Sequence, residues 1–384
     1  MELTPKQQVL DVLRNKQKIL LLTHKNPDGD AIGSILALYL SLKKMGKEVI
    51  AVCNDPAATI YDFLPELDKI TTKFSGTRDF IISVDISKTK PDKIMYKIKD
   101  NTLDIVITPK NGKYEQNQVK FSDGGFNSEA IVVLDSPDFE RLGSIYEKNS
   151  ELFYELPVIN IDHHAGNDYF GKINLVDITA TSTCEILVSI IEALTGDPKF
   201  IVDDIATALL TGIITDTNSF QNLNTTPKSL TVAAQLVASG ARQQDIIKKI
   251  YKTRALSTLR LWGRALANLR DEKNYNFVWT ELRSTDFLEV GAAETESSGV
   301  IDELLKTASG VDFALLLTEK GSDVHGSLRS TDKHKDVRAI ATLFGGGGHE
   351  LAAAFQLKNK TLAEASDSII QKIKSSQDSN KKRG

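Results

Sequence analysis

The chain has 384 residues, of which 41% are hydrophobic and 26% charged, a composition that can fill the cores of two globular domains. Its net charge of −4 argues against a general binder of polyanions, so any contact with nucleic acid must be local. The sequence has neither a signal-peptide core nor an apolar run near the roughly 20 residues of a membrane span, so we expect a cytoplasmic protein without a membrane partner.

Strands and helices alternate along the first third of the chain. KILLLT (Lys18–Thr23) and EVIAVC (Glu48–Cys53) are short apolar runs typical of buried strands. The segment between them predicts a helix at about residues 31–45, ended by Gly46. Further strands are expected at residues 130–134 and 158–161, and helices at about residues 183–194 and 203–214. This order predicts an α/β fold with a parallel sheet and right-handed crossovers.

Residues 79–121 break this order. They hold short alternating runs separated by Pro, Asp-Asn and Asn-Gly, which predicts a β-rich insert of hairpins. Between residues 86 and 120 there are eight lysines against four acidic residues. This excess fits a solvated surface better than a basic patch that touches substrate.

The pattern of the remaining chain predicts a helical segment and then a second α+β region. We expect an N-terminal α/β domain over residues 1–224, including the insert, and a helical linker over residues 225–272. A smaller α+β domain follows over residues 273–374. The polar tail, residues 375–384, is expected to be disordered.

The turn after the first strand concentrates side chains that can bind metal. His24, Asp28 and Asp30 lie within seven residues, at a strand end of the kind where open α/β sheets gather their sites. Hard divalent cations prefer carboxylates, and imidazole suits Mn, Fe or Zn. An ordinary Asx turn, in which Gly29 supplies a positive φ, is the alternative.

Two further groups of candidate ligands follow apolar runs. Asp135 comes directly after AIVVL, as Asp85 comes after FIISV, and either position suits a metal ligand or a helix cap. Asp162, His163 and His164 come directly after VINI. Packing in a core would account for one histidine of this pair, but it explains two adjacent ones poorly.

Asp216 closes an apolar helix that ends in Thr, Asp and Asn. A carboxylate at a helix C-terminus is electrostatically unfavourable, so it indicates a compensating cation unless it is a plain surface cap. The candidate ligands suffice for two metal ions bridged by Asp135, an arrangement that suits the hydrolysis of phosphate esters. They are His24, Asp28, Asp30, Asp135, His163 and Asp216.

The C-terminal region adds a glycine run and an arginine. Four glycines, residues 345–348, precede His349, and their backbone N–H groups could reach a phosphate. A helix starting at about Glu350 would add its dipole. Arg329 supplies a guanidinium suited to bidentate binding of a phosphate or carboxylate. A flexible linker is the alternative for the glycines, but the apolar run after them argues against it.

These motifs together resemble one family. HKNPDGDAIGS, LDSPDFERLG, DHH and GIITDTNSF resemble the four motifs of the DHH phosphoesterases. SLRS and GGGGHELAAAF resemble the DHH-associated C-terminal domain. The likeness covers most of residues 18–358 and is strongest to the oligoribonuclease/pAp phosphatase (NrnA-like) type. The insert at residues 79–121 departs from the compact oligoribonucleases.

The resemblance implies two Mn²⁺ ions, with Mg²⁺ or Co²⁺ as substitutes, in a catalytic domain over residues 1–224. One ion would be held by His24, Asp28 and Asp135. The other would be held by Asp30, Asp135, His163 and Asp216. The resemblance also favours Asp135 over Asp85, because the motif continues from Asp135 to Gly143.

The resemblance also implies roles around the metals. His164 would face the substrate phosphate, and Asp162 would orient the histidine pair. Arg329 and His349, with the backbone of Gly346, Gly347 and Gly348, would hold the terminal phosphate of a nucleotide or an adjacent group.

The expected activity is metal-dependent hydrolysis of phosphoester bonds in short oligonucleotides and in 3′-phosphoadenosine 5′-phosphate (pAp). The expected partners are short RNA or DNA oligonucleotides or small nucleotides, and a homodimer is left open. A phosphodiesterase acting on cyclic di-AMP or pApA is one alternative. A non-catalytic nucleotide-binding module is another, against which the intact ligand set argues.

Overall fold

The computed structural model describes residues 3–381 apart from 75, 77, 198, 298 and 332–334, and the chain divides into two units. The first unit is Met1–Lys252 and the second is Thr253–Gly384. The predicted α/β fold, with a β-rich insert, helices and a second sheet, is confirmed.

The first unit is built on a parallel sheet whose strands are apolar along their whole length. Its elements up to the insert are α1 (Pro5–Asn15), β1 (Lys18–Thr23), α2 (Gly29–Lys44), β2 (Glu48–Cys53) and β3 (Ile70–Thr71). The insert holds β4 (Arg78–Val84), β5 (Pro91–Lys99), β6 (Thr102–Pro109) and β7 (Val119–Phe126). After it come β8 (Ala130–Leu134), α3 (Ser144–Lys148), α4 (Ser150–Glu155), β9 (Val158–Asp162), β10 (Ile173–Val176), α5 (Thr183–Thr195), α6 (Asp203–Asp216), α7 (Pro227–Ala238) and α8 (Gln243–Tyr251).

The strand order of this sheet is β10-β9-β8-β1-β2-β3, and every pair is parallel. Because β1, β8 and β9 are buried on both faces, they form near-continuous apolar runs. The carboxyl ends of these three strands lie side by side, so the polar residues that follow them share one edge of the sheet.

Two glycines allow α2 and α6 to cross at close range. A Cβ on Gly33 would lie 2.4 Å from the carbonyl oxygen of Ala208, and a Cβ on Gly212 would lie 2.4 Å from Asp30 Oδ1. Any larger residue would therefore push the helices apart. This contact holds the start of α2 against the end of α6, which brings the first and last sequence motifs together.

The insert forms two separate antiparallel pairs, β4 with β7 and β5 with β6. The β5–β6 hairpin turns at Asp100 and Asn101, where Asp100 adopts a left-handed φ of 51°. Such a residue is typical of the tight turns that suit the twist of a hairpin. Within the described residues, neither pair is joined to the parallel sheet.

The helical segment predicted as a linker over residues 225–272 divides between the two units. α7 and α8 pack on the first core through Leu236 and Ile246. The next helix, α9 (Leu256–Ala267), belongs to the second unit, where Leu261 and Trp262 enter a different core.

The second unit is an α+β layer structure. After α9 come β11 (Arg270–Glu272), β12 (Phe277–Leu282), α10 (Ser284–Val290), β13 (Phe313–Lys320), β14 (Asp323–Ser330), α11 (Arg338–Thr342), β15 (Gly347–Gly348), β16 (Ala352–Leu357) and α12 (Leu362–Lys381). The sheet order is β11-β12-β13-β14-β16-β15. Phe277 and Phe313 stack on neighbouring strands at its centre, with ring centroids 4.8 Å apart.

Two expectations for this unit are wrong. The helix predicted from about Glu350 is instead β16, which pairs with β14 and buries Ala353 and Phe355 on one face. Strand pairing and burial outweigh the helix preference of the three alanines. The tail, predicted to be disordered from residue 375, continues α12 as far as Lys381, and residues 382–384 lie outside the described chain.

No helix within the described residues combines the length and apolar character needed to cross a lipid bilayer.

Candidate metal centre

His24 follows β1 and turns one ring nitrogen towards two carboxylates. Its Nδ1 lies 2.9 Å from the Lys25 carbonyl, which can only accept, so Nδ1 carries the proton. Nε2 then lies 3.9 Å from Asp28 Oδ1 and 3.5 Å from Asp135 Oδ2. The backbone therefore fixes the tautomer in which Nε2 is the free ligand atom.

Asp28 combines two tasks at the start of α2. Its Oδ1 accepts hydrogen bonds from the amides of Asp30 and Ala31, each at 3.0 Å, so it caps the helix. The cap is present, but Gly29 does not supply the positive φ expected for the Asx turn, because it is the first residue of α2; Asn26 has a φ of 53° instead. The Asp28 carboxylate also lies beside His24.

Asp30 is fully buried against the first turn of α5. Its Oδ2 accepts from the Thr183 amide at 2.6 Å, and its Oδ1 accepts from the Cys184 amide at 2.9 Å. A helix N-terminus stabilises a negative charge, so α5 supports this carboxylate. Burial, followed by the nearby carboxylates of Asp135 and Asp216, nevertheless raises the pKa of Asp30 well above its ordinary value.

Asp135 lies where the motifs meet. It follows β8 with a left-handed φ of 53°, a conformation that costs energy in a residue other than glycine. Thr183 donates its hydroxyl hydrogen bond to Asp135 Oδ1 at 3.1 Å. Burial alone would raise the pKa of Asp135, but the imidazoles of His24 and His163 outweigh it and lower that pKa.

His163 follows β9 and points into the same cluster. Its Nε2 lies 3.2 Å from Asp216 Oδ2, 3.5 Å from Asp135 Oδ1 and 4.0 Å from Asp30 Oδ2. Burial opposes protonation, but these carboxylates raise the pKa of His163 to about 10. The pKa of His24 rises in the same way to about 9, where burial is outweighed by Asp135.

The cluster fits divalent metal ions. Its side chains form three overlapping groups, each with ligand atoms within 4.8 Å of one another: His24, Asp28 and Asp135; Asp30, His163 and Asp216; and Asp135, His163 and His164. Carboxylate oxygens and imidazole nitrogens are the donors that such ions take. The raised pKa values of Asp30 and Asp216 show negative charges crowded in a buried space, which cations would relieve.

A chain of hydrogen bonds supports the adjacent His164. Asp162 is buried, and its Oδ1 accepts from His164 Nδ1 at 2.8 Å. Its Oδ2 accepts from Asn167 Nδ2 at 2.6 Å, and Asn167 is held in turn by Asn160. The hydrogen bond that His164 donates to Asp162 raises the pKa of His164. The His164 side chain is 43% exposed, and its Nε2 has no hydrogen-bond partner among the described residues. Asp162 thus orients a half-exposed imidazole beside the cluster.

Beside this cluster lies a cavity of about 370 Å³, which offers room for a small polar ligand. It is lined by His24, Lys25, Asn26, Asp28, Asp138, Glu140 and Arg141. Asp85, the rival of Asp135 in the sequence, lies in the insert, where its carboxylate accepts from the Ser87 amide.

The sequence did not predict some of the residues that hold the site's side chains in place. Thr183 and Cys184 act through backbone amides, for which the sequence carries no signal beyond the predicted start of α5. Asn167 lies three residues after the DHH triplet, and its amide side chain is a weak signal in the sequence. Its contact with Asp162 appears only in three dimensions.

In the second unit, Arg329 is held by a carboxylate that the sequence did not suggest. Its Nε and Nη2 donate to Oδ1 and Oδ2 of Asp302 at 2.6 and 3.1 Å, and Nη1 donates to the Leu328 carbonyl at 3.0 Å. A planar guanidinium has five N–H groups in fixed directions. These contacts use three of the five, so one N–H on each Nη has no partner among the described residues.

Arg329 shares a cavity of about 380 Å³ with other polar residues of the second unit. His325, Ser327 and Arg329 alternate along β14 on the face that borders it, and Thr318 and Lys320 of β13 join them. The cavity therefore combines basic and hydroxyl groups with the carboxylates of Glu294 and Asp302, and the Asp302 carboxylate is paired with Arg329.

The glycine run is a strand-forming hairpin as well as a candidate phosphate loop. A Cβ on Gly346 would lie 2.2 Å from the carbonyl oxygen of Ala354, so close pairing with β16 requires glycine there. Gly348 has a φ of 140°, and the His349 amide donates within the turn to the Ala352 carbonyl at 2.8 Å. Gly347 and His349 are exposed, so they stay available to a ligand.

Two family models match this chain. Residues 18–213 match the model described as DHH family, N-terminal domain, and residues 276–376 match that of the DHHA1 domain. The first match covers the first three motifs of the metal cluster and ends three residues before Asp216, and the second covers Arg329 and the glycine run.

Curated relatives and a solved structure extend the likeness over the whole chain. The chain is 29% identical over 356 residues to the "Bifunctional oligoribonuclease and PAP phosphatase NrnA" of Thermus thermophilus, covering 93% of this chain and 89% of that protein. It is 25% identical to the "Cyclic-di-AMP phosphodiesterase PdeA" of Listeria monocytogenes, over 96% of this chain but only 49% of that longer protein. An exopolyphosphatase-related protein from Bacteroides fragilis has the same fold, with a TM-score of 0.71 at 22% identity, covering 97% of this chain and 96% of that one.

Proposed function

Because the chain belongs to the DHH family, we propose that it is a metal-dependent phosphoesterase that hydrolyses short oligonucleotides and pAp. The observation that carries this proposal is a pair of neighbouring ligand groups, one of His24, Asp28 and Asp135 and one of Asp30, His163 and Asp216. The Asp135 carboxylate lies 3.5 Å from the histidine of each group. The 29% identity to the Thermus thermophilus enzyme, spread over 93% of the chain, supports the choice of substrate.

The residues of the cluster fit two divalent cations, for which we propose Mn²⁺, with Mg²⁺ or Co²⁺ as substitutes. His24, Asp28 and Asp135 would hold one ion, and Asp30, His163 and Asp216 would hold the other, with Asp135 shared. When bound, such a pair lowers the pKa of water and stabilises the attacking and leaving oxygens of a phosphate ester.

The side chains around this centre position the substrate. His164 donates from Nδ1 to Asp162, so a protonated imidazole presents its Nε2–H to a phosphate oxygen. The same hydrogen bond to Asp162 raises the pKa of His164, which favours the protonated form. Asp162 keeps the ring oriented, because its other oxygen is tied to Asn167.

We assign recognition of the phosphorylated end of the substrate to the second unit. The remaining N–H groups of Arg329, one on each Nη, would donate to phosphate oxygens, while Asp302 holds the Nε edge of the guanidinium. His349 and the exposed Gly347 of the glycine run would add donors to the same anion.

A product assay on one substrate panel tests the proposal. The panel holds pAp, pApA, cyclic di-AMP, a 5-mer RNA, and a 24-mer RNA and DNA, each with and without added Mn²⁺. We expect the 5-mer and pAp to be cleaved fastest, and only with metal. A preference for cyclic di-AMP would indicate the activity named for the Listeria relative instead. If no substrate is cleaved, the non-catalytic nucleotide-binding module would be the remaining interpretation.

A further inference from the structure

One face of the β5–β6 hairpin is apolar and open to solvent. The strand register places Ile94 opposite Ile107, Tyr96 opposite Ile105, and Ile98 opposite Leu103, all on one side. The side chains of this apolar hairpin face are largely exposed: Tyr96 and Ile98 at 73%, Ile94 at 64%, Leu103 at 58% and Ile105 at 44%.

The antiparallel pair β4–β7 also has an apolar face that is open to solvent. Its register places Ile82 opposite Phe121 and Val84 opposite Val119, and Phe80 lies on the same side. Phe80 and Phe121 stack with ring centroids 5.9 Å apart, yet they are 67% and 66% exposed. The insert therefore carries two apolar surfaces.

Such hairpins are unstable in water without a partner layer. An isolated two-stranded sheet is at best marginally stable, and a further strand or packed face is needed to hold it. A contiguous exposed apolar patch of this kind marks an interaction surface in soluble proteins. Yet β5 and β6 pair over seventeen residues in all, with no other strand beside them among the described residues.

The lysines of β5 lie on the other side of the hairpin. Lys93, Lys97 and Lys99 alternate with the apolar residues of β5, and Lys97 faces Asp104 across the pair. The five side chains of the apolar hairpin face are uncharged, and Asp92, at the register shift near the start of β5, lies beyond their end of the hairpin. Another apolar hairpin face could pack against it while the lysines of both stay in water.

We propose that the apolar face of β5–β6 is a homodimer interface, covered by the same face of a second copy of this chain. The five exposed side chains amount to on the order of 600 Å² per copy, taking roughly 200 Å² for a fully exposed large side chain. Two copies would bury about 1,200 Å², the size at which specific interfaces begin, before any contribution from Phe80 or Phe121.

A second copy fits this face better than other occupants do. Nucleic acid would be drawn to the lysine side, because the apolar side offers no cation to a phosphate. A lipid surface would cover the side chains, but it would leave the unpaired backbone of both strand edges near hydrocarbon. A two-fold axis through this face would bring the same residues of both copies into contact, which is the commonest form of protein dimer.

The test is the molar mass in solution, by sedimentation velocity and light scattering, over about 1 to about 100 μM, where interfaces of this size associate. The native chain is compared with a Tyr96→Asp/Ile98→Asp variant on the apolar face. A Lys93→Ser/Lys97→Ser variant on the opposite face of β5 serves as the matched control. Thermal melting followed by circular dichroism checks that each variant folds, as expected for substitutions at exposed positions.

The native chain and the lysine variant should have twice the 42.3 kDa mass of one chain. The Tyr96→Asp/Ile98→Asp variant should be monomeric, with a dimer dissociation constant raised at least about 100-fold, because two charges would enter a desolvated contact. A native chain that stays monomeric at the highest concentration overturns the proposal. So does a dimer that the Asp variant leaves intact, or a monomer that instead sediments with anionic phospholipid vesicles.

Discussion

Asp135 is the side chain shared by the two ligand groups. Its carboxylate lies 3.5 Å from both His24 Nε2 and His163 Nε2, and its own pKa is lowered by those imidazoles. An amide at this position would keep the shape and lose the charge. The first prediction therefore concerns this single atom change.

Asp135→Asn should lower turnover on a 5-mer RNA by at least about 100-fold, since even residues that only support a metal ligand cost up to that factor. Asp85→Asn is the matched control, because Asp85 also follows an apolar run but lies in the insert. Initial rates with saturating Mn²⁺ measure both. Near-normal turnover by Asp135→Asn would remove Asp135 from the site.

A second prediction concerns the carboxylate that holds Arg329. Asp302→Ala should raise the KM of a 5′-phosphorylated 5-mer about tenfold and leave kcat nearly unchanged, because the guanidinium loses its orientation but not its charge. The KM of the matching 5′-hydroxyl substrate should not change. Glu303→Ala is the control, since Glu303 is the next residue and pairs with Arg254 instead. Equal effects of the two substitutions on KM would contradict a positioning role.

At the scale of elements, the α2–α6 crossing links packing to the metal cluster. A Cβ on Gly212 would lie 2.4 Å from both Asp30 Oδ1 and Cys184 Sγ. Gly212→Ala should therefore destabilise the fold by about 1–3 kcal/mol through overpacking and weaken metal binding by displacing Asp30. Gly263→Ala, in the interior of α9 with open space around it, should be neutral or slightly stabilising. Denaturant unfolding and Mn²⁺ titration compare the two, and equal behaviour would contradict the packing argument.

The buried parallel strands were predictable from the sequence because they are continuous apolar runs. β1, β2 and β8 begin and end where those runs do. Their order then brought His24, Asp135 and His163 together, since parallel strands end at one edge.

Other features depend on contacts that a sequence pattern does not encode. Apolar runs precede Asp85 and Asp135 alike, so the runs alone do not separate them. The family resemblance favours Asp135, and the sheet topology places its strand beside β1. The alanines of β16 favour a helix locally, but pairing with β14 decides their conformation. The amides of α5 that hold Asp30 come from a helix more than 150 residues away in sequence.

At the scale of the molecule, the two units have separate cores, and the metal cluster lies wholly in the first. Both tryptophans, Trp262 and Trp279, lie in the second unit, so their fluorescence reports on that unit alone. Circular dichroism reports on both units.

Adding Mn²⁺ at about 100 times its dissociation constant should stabilise the first unit by about 2.7 kcal/mol for each ion bound. The melting temperature measured by circular dichroism should rise accordingly, and a chelator should reverse this rise. The melting temperature measured by tryptophan fluorescence should rise less. His24→Ala should reduce the metal-induced rise in melting temperature, because one group of ligands loses its histidine. A metal-induced rise in the melting temperature that appears only in tryptophan fluorescence would place the ions in the second unit, and it would contradict the assignment.

The most direct test of the central claim is hydrolysis of a 5-mer RNA as metal-free protein is titrated with Mn²⁺. The paired ligand groups around Asp135 predict a rate that is negligible without metal and reaches its plateau at two ions per chain. Turnover that needs no metal, or a chain that binds two ions and cleaves none of the phosphoesters in the panel, would contradict the account.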